Sequence, residues 1–523
     1  MPRFITGKKY PKQNSRIFIK SKFMDENKYD LTKIGREKIN KKFYNEKFWS
    51  KQTTLKPEDL LGAVNVMLKI KNGKKNIDEV DSLKNKKIRN SGELLKNQIK
   101  NSIYELIKDI KDNLKSTEEK IKKSKNKKIN LNEIINNQIL TNIILRFFIN
   151  NPLSQIMEET NALAEITQKR KISSFGIGAI DKKKTNLDMR EIHMSYFGRI
   201  CPIETTEGKN AGLILSLAKD TRINKDGFLE TPVYKIFRDK INRKDGIFFV
   251  TYEQEKNISL LPSDILTGKK HRIIYERGKK LYTKQGNIFT SKKIKKVKLA
   301  HVRTSQIISI GTNLIPFVEH DDANRALMGS NMQRQALAVK KKEKPIIETG
   351  IEIEIGKNSE STIRARRTGF VEFVSVKKII TKYRNEKFPH KATECFKRKY
   401  KKSISISSSK EKTQELFKRK IYILEDNRKS NQNTFIKQQP NIIKGDFVKK
   451  GQVIADNTGT NQGLLSLGKN ILVGYISWEG YNFEDAIVIS KKLVEENIFT
   501  SLHLKKYKTF VITSKTEEVR TKI

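Results

Sequence analysis

The hydrophobic period of this chain changes near residue 150. Before that point apolar residues recur at helical spacing. Leu95, Ile99, Ile103, Leu106, Ile110 and Leu114 form one stripe, which predicts a helix over 94–114. Leu60, Leu61, Val64, Met67 and Leu68 predict another over 54–70. Ile134, Ile135, Ile139, Ile143 and Phe147 predict a third over roughly 131–149. Residues 70–93 and 115–128 are charged and lack the stripe, so they read as loops. Beyond residue 150 the small and turn-forming residues rise and the apolar runs shorten. Residues 246–252, 271–275 and 368–381 read as strands, and 442–490 as short strands between glycine turns. Residues 384–420 are basic, serine-rich and irregular, which suits an insertion or linker. A chain of 523 residues with this switch of period is expected to be a mixed α/β, multidomain protein.

Charge narrows the partners. The sequence has 108 Lys and Arg against 58 Asp and Glu, a formal charge of +50. A polyanion is the natural counterpart, because each phosphate contact releases a counterion. Part of the excess follows from a Lys-, Asn- and Ile-rich composition of the kind an A- and T-rich coding sequence produces. An anionic membrane surface is disfavoured, since the basic runs 122–128 and 397–402 have no bulky apolar face opposite them. The longest apolar stretch, 139–149, is broken by Thr141, Asn142 and Arg146. With only Cys201 and Cys395, neither a disulfide scaffold nor a cysteine zinc site is available. Residues 1–22 are basic and lack a clear helical face. They read as a solvated N-terminal extension rather than a targeting peptide, so the protein is expected to work where it is made.

Three stretches carry unusual chemistry. In 198–217 (GRICPIETTEGKNAGLILSL), Glu204 and Glu207 sit among glycines and threonines that let a backbone approach a ligand. In 313–337 (NLIPFVEHDDANRALMGSNMQRQAL), His320, Asp321 and Asp322 precede a helix bearing Arg325 and Arg334. Those acids suit a helix cap better than a metal site, and the arginines suit phosphates. In 478–490 (WEGYNFEDAIVIS), Glu484 and Asp485 form an adjacent acid pair at the start of a strand-like run. No P-loop pattern and no D-x-D-x-D cluster occurs, so the chain lacks the parts for a complete two-metal site.

These stretches resemble the β subunit of multisubunit, bacterial-type RNA polymerase, in its plastid form. MSYFGRICPIETTEGKNAGL (194–213), LIPFVEHDDANRALMGSNMQRQA (314–336) and LGKNILVGYISWEGYNFEDAIVIS (467–490) follow the family sequence closely. LSQIMEETNALAEITQKRKISSFG (153–176) resembles the family's rifamycin-pocket segment. The matches run in family order across most of the chain and correspond to the middle of that subunit. The resemblance implies one piece of a split β subunit, in this order: a basic leader and the end of the lobe (1–80), protrusion helices with a fork segment (81–152), and a fork and RNA-path segment (153–217). A β-rich external module with the cleft segment (218–340), a hybrid-binding module (341–490) and the start of the flap or wall (491–523) would follow.

The resemblance also implies roles. Arg325 would contact the incoming triphosphate, and Arg334 and Gln335 would line the catalytic cleft. Glu207 would lie near the nucleotide. Glu484 and Asp485 would help position the second, substrate-borne Mg2+, with the permanent ion held by the β′ subunit and no zinc in this chain. Gln155, Arg170 and Ser173 match positions facing RNA. Lys86, Lys87 and Arg89 match a basic segment near template DNA, although a solvated charged loop explains them equally well. Implied partners are β′, α and sigma subunits, a separate polypeptide carrying the rest of β, DNA, nascent RNA and ribonucleoside triphosphates, in the plastid and without a membrane. The rival reading is a non-catalytic nucleic-acid-binding scaffold derived from a polymerase fragment. The chain departs from the family at Glu158 (usually Asp), Gln168 (usually His), Lys171 (usually Arg), and Thr206 and Lys209 (usually Pro).

Overall fold

The computed structural model describes residues 12–26, 29–44, 52–123, 134–176, 178–180, 185–268, 271–275, 280–384 and 417–509. Helices and strands alternate in a multidomain arrangement of two compact units. The first comprises residues 1–88 with 223–228, and the second residues 89–222 with 229–523.

The described part of the first unit is mainly helical: α1 (Lys12–Phe23), α2 (Thr32–Phe43) and α3 (Pro57–Lys71). The expected extension therefore contains a helix over its second half, with Ile17, Phe18 and Ile19 exposed. Its charge is uncompensated in the first turn and it gains no strong amphipathic face, which is why the stripe test missed it. Pro57 starts α3, where a missing N–H costs nothing. The Asp59 carboxylate accepts from Lys56 N at 2.9 Å and closes the cap. Buried Arg36 donates to both Asp59 oxygens, at 2.9 and 2.8 Å, and Tyr44 adds a hydroxyl at 2.7 Å. Burial alone would raise the Asp59 pKa, but the Arg36 bonds outweigh it and hold it low. Burial and the Asp59 charge push the Tyr44 hydroxyl up to about 12. The apolar stripe of α3 is not what the unit buries. Leu60, Leu61, Val64, Met67 and Leu68 are all exposed, and the helix is fixed through Asp59 and Val66 instead.

In the second unit α4 (Ser91–Lys123) is longer than its stripe. It continues into the segment expected to be a loop as far as Lys123, because Lys and Glu are good helix formers even without apolar contacts. It packs against α5 (Asn137–Asn150), which starts later than expected. The Asn136 side chain sets that start by accepting from Gln138 N at 3.1 Å. Helix α6 (Ala162–Lys169) leads into β1 (Lys171–Ser173). This strand pairs antiparallel with β3 (Ile214–Leu217), which also pairs with β2 (Ile200–Thr205).

A larger sheet has the nine-residue strand Leu229–Phe237 at its heart. Leu299–His301, Lys240–Asn242 and Phe248–Thr251 pair with it. The expected strand at 246–252 thus exists, whereas 271–275 forms only isolated bridges. Helix α7 (Ala323–Arg334) and helix α8 (Glu352–Asn358) precede a second, four-stranded sheet. Strands Gly369–Val374 and Lys378–Arg384 confirm the 368–381 reading, and Phe417–Ile423 pairs with the latter from Lys378–Ile423 to Arg384–Phe417. Residues 385–416 of the expected insertion lie outside the described residues and connect that last pair. Val371, Ile379, Tyr422, Val448 and Ile454 form this sheet's core. Leu163, Leu314, Ile351, Ile355 and Leu465 form another, beneath α6 and α8. Among the described residues no helix is long and apolar enough to cross a membrane.

His301 sits in the larger sheet beside a buried ion cluster. Gln306 Oε1 accepts from Val302 N at 3.0 Å and Arg303 N at 3.1 Å, so its amide nitrogen must donate to His301 Nδ1. The ring is therefore neutral, with its proton on Nε2. Burial first, opposed by Glu255 and reinforced by Lys284 and Arg199, lowers its pKa from 6.5 to about 4. The unfolded chain then takes up this proton first as pH falls. Stability contributed by the neutral ring is complete above pH 6.5 and is lost on the way down to pH 4. The loss amounts to about 3 kcal/mol. Melting temperature should fall more steeply between pH 7 and 5 in the parent chain than in His301→Leu, and equal slopes would contradict this assignment.

Candidate functional site

The three chemically unusual stretches are brought to one region only in part. A cavity of about 500 Å³ is lined by Glu158, Lys171, Glu204–Glu207, Asn331, Arg334 and Gln335, among others. It joins the 153–176 segment, the 194–213 segment and the end of α7.

Local sequence explains each placement. Asp322 caps α7 by accepting from Asn324 N at 3.1 Å, as its position before the helix suggested. Asn161 caps α6 through its side-chain oxygen, 2.8 Å from Ala164 N. The same side chain donates to Arg334 O at 2.9 Å and Ala336 O at 2.8 Å, so it fixes the end of α7 against the start of α6. Arg334 donates from Nη2 to the Asn331 side-chain oxygen, and its buried Nε has no partner. Asn331 in turn reaches Glu207 Oε1 at 3.4 Å. Gln335 is exposed at the helix end.

Glu204 lies deeper, at 2 % exposure. Its Oε2 accepts from Ser309, while Oε1 has no partner. A side chain at Gly311 would stand 3.4 Å from that carboxylate, so a small residue there preserves its space. Lys171 is exposed as a residue while lining the cavity. Even so, desolvation of its ammonium group, then the Arg334 charge, lowers its pKa, opposed by Glu158 and Glu204. The cavity thus presents two cations, three carboxylates and amides, a lining for a polar rather than an apolar ligand.

Other candidates lie elsewhere. Arg325 is exposed in the first turn of α7. Nine residues separate it from Arg334, about 13 Å along the axis and half a turn around it, so the two arginines face opposite ways. Glu484 and Asp485 lie outside the cavity lining, in a segment of turns and extended chain. The expected strand-like run at 478–490 is not a strand, because no strand among the described residues pairs with it, and Glu484 has φ +57°. Gln155 is exposed and accepts from Gln168 at 3.4 Å. Arg170 donates to the carbonyls of Ala218, at 2.6 Å, and Lys219, at 3.0 Å, and so braces the backbone. Ser173 accepts from Phe175 N at 3.1 Å. Lys86 pairs with Asp81 at 2.7 Å and, with exposed Lys87, ends the first unit, whereas Arg89 belongs to the second. Gln168 ties down the 155–158 loop, accepting from Glu158 N at 2.7 Å and donating to Ile156 O at 3.0 Å.

Asn331 and Asn161 were absent from the candidate set. Asn331 could have been found, being one helical turn before Arg334 and on its face. Glu204 was singled out beside Glu207 without a role, and only packing shows that one of its oxygens lacks a partner. Among the described residues no three His, Cys, Asp or Glu side chains come together as a metal-binding group.

Known families fit this arrangement. The models for RNA polymerase Rpb2 match in chain order: domain 2 over residues 3–89, domain 3 over 155–223 and domain 6 over 364–523. The chain belongs to the RNA polymerase β subunit (Rpb2) family. It is 44% identical over 505 residues to the DNA-directed RNA polymerase subunit beta of Euglena gracilis, covering 95% of this chain and 46% of that one. Identity to the Euglena longa subunit is 46% over 504 residues, again 95% and 46%. To that of Thermosynechococcus vestitus it is 37% over 489 residues, 94% and 40%. The chain therefore spans a little under half the length of these curated relatives.

Proposed function

We propose that this chain is a working piece of a DNA-directed RNA polymerase core, active in the plastid once assembled with the rest of β, β′ and α, and directed by sigma. The observation that carries the reading is the cavity in which Glu207, Arg334 and Gln335 meet the 153–176 segment. Similarity to the Euglena and Thermosynechococcus subunits and the A/T-type composition support the plastid.

In the reaction an RNA 3′-OH attacks the α-phosphorus of a ribonucleoside triphosphate, and pyrophosphate leaves. Mg2+ would supply charge neutralisation there. This chain's described residues do not make a metal site by themselves. The exposed Glu484–Asp485 pair suits a contributing role toward an ion that enters with the triphosphate. Arg325, with a free approach on the outer face of α7, would offset charge growing on the pyrophosphate. Arg334, oriented by Asn331, and Gln335 would hold the RNA end, and Glu207 would sit near the nucleotide. Gln155, Arg170 and Ser173 would border the first RNA nucleotides, with Arg170 acting through the backbone it braces. Lys86, Lys87 and Arg89 would neutralise template phosphates.

The test is a reconstituted core assayed for nucleotide incorporation with and without this chain. Activity only when it is present supports the reading, and equal activity without it rejects the reading. The same preparation should resist rifamycin, because Gln168 is engaged with the 156–158 backbone in place of the family's ring. Inhibition at nanomolar drug would contradict that expectation.

A further inference from the structure

Asn161 is the buried point at which the 153–176 segment meets the end of α7. The loop before it is clasped by residues 428–432. Gln432 Oε1 accepts from Glu159 N at 2.7 Å, and the Asn431 and Gln432 amides donate to Met157 O at 3.0 and 3.2 Å. Arg428 pairs with the Glu159 carboxylate at 3.2 Å. The chain therefore reaches Asn161 with its backbone already fixed. There the side-chain oxygen accepts from Ala164 N and starts α6. That bond orients the amide nitrogen, whose two N–H groups go to Arg334 O and Ala336 O. Carbonyls at the end of a helix have no partner within it. One side chain thus closes the N-terminus of α6 and the C-terminus of α7 together.

The junction governs a distance across the cavity. Asn161 is not one of the cavity's lining residues, but Arg334 and Gln335, whose backbone it brackets, are. So are Glu158 and Lys171, which flank α6 on either side. The placement of the two α7 side chains against those two residues depends on this one amide. Neither the Arg334 bond to Asn331 nor the Asn331 contact with Glu207 can do the same, because both run between side chains and leave the helix end free.

We propose that Asn161 is a positioning residue for the RNA end. It touches no substrate, and it holds the 334–336 backbone so that Arg334 and Gln335 meet the RNA in one geometry. The inference rests on the polymerase reading above.

The experiment uses the reconstituted complex extending a dinucleotide RNA primer, with Asn161→Ser and Asn161→Asp in this chain. Both replacements still cap α6, since Ser and Asp accept from a helix N–H as Asn does. Neither can donate to two carbonyls, and the carboxylate has no donor at all. The isolated variants should therefore keep the parent's circular dichroism. Apparent KM for the primer should rise about tenfold in each, the effect of losing two hydrogen bonds. Maximal rate at saturating primer and KM for the triphosphate should stay within about twofold, because Arg325 lies at the far end of α7. In an Arg334→Ala/Gln335→Ala background the same replacements should add less than about twofold, since they act through those residues. Primer KM unchanged in both variants overturns the proposal. So does a fall in melting temperature and maximal rate with primer KM unaltered, which would leave Asn161 a helix cap and nothing more. Full additivity with Arg334→Ala/Gln335→Ala also overturns it. If Arg334→Ala/Gln335→Ala itself leaves primer KM unchanged, the RNA-end assignment of the polymerase reading fails, and the role of Asn161 with it.

Discussion

Arg325→Ala in the assembled enzyme should lower the rate of nucleotide addition by about 10²–10³-fold, the usual effect of removing one preorganised group from a developing charge. That corresponds to about 3–4 kcal/mol of transition-state stabilisation. Its guanidinium has no carboxylate partner among the described residues. The one contact described is Nη1 at 3.6 Å from Met328 Sδ. The side chain is exposed on α7 and carries no part of the fold, so the variant should assemble and melt as the parent does. Arg325→Lys should recover only part of the rate, because an ammonium does not reproduce the bidentate fork. Asp485→Ala should give a loss of similar size that is partly relieved by raised Mg2+. Normal rates for Arg325→Ala would remove this arginine from the chemistry.

The largest effect on stability is expected at Glu255, which lies on the one-turn helix Tyr252–Glu255 and is 1% exposed. Its carboxylate stands 2.7 Å from Arg199 Nη2 and accepts from Lys284 Nζ at 2.5 Å. Burial alone would raise its pKa, but the two cations outweigh that and hold it ionised. Arg199 is wholly buried and also donates to Val250 O at 3.0 Å, so the cluster links the start of the 194–213 segment to the larger sheet. Glu255→Ala leaves two cations buried without a counter-charge, a change that costs about 3–5 kcal/mol. A clear drop in the denaturation midpoint should follow, with part of it recovered in Glu255→Ala/Lys284→Met, where one of the stranded cations is gone. A loss under about 1 kcal/mol would mean that water or rearrangement compensates the cluster.

Periodicity located the long helices and some of the strands. Leu95 to Leu114 marked α4, although Ile99, Ile103 and Leu114 of that stripe are exposed, and the short apolar runs near 248 and 369 marked real strands. It failed where something other than apolar burial decides. Helix α4 outruns its stripe on intrinsic propensity, and α3 is held by the Arg36–Asp59 pair while its leucines stay exposed. Residues 478–490 have the composition of a strand but no strand to pair with among the described residues, and a strand is defined by its neighbour. For the site, motif reading found Glu207, Arg334 and Gln335. It could not show that Arg170 is occupied with backbone carbonyls, or that Glu204 is buried with an oxygen unpartnered. Helical arithmetic alone separates Arg325 from Arg334, so the two were never able to grip one phosphate together.

The most direct measurement is affinity purification of this chain from its native compartment, with mass spectrometry of what accompanies it. Recovery of β′ and of a separate polypeptide carrying the rest of β, in equal amounts, is the expected result. Recovery of the chain alone, or with nucleic acid but no polymerase subunit, would contradict a role in the polymerase core and favour a derived binding protein.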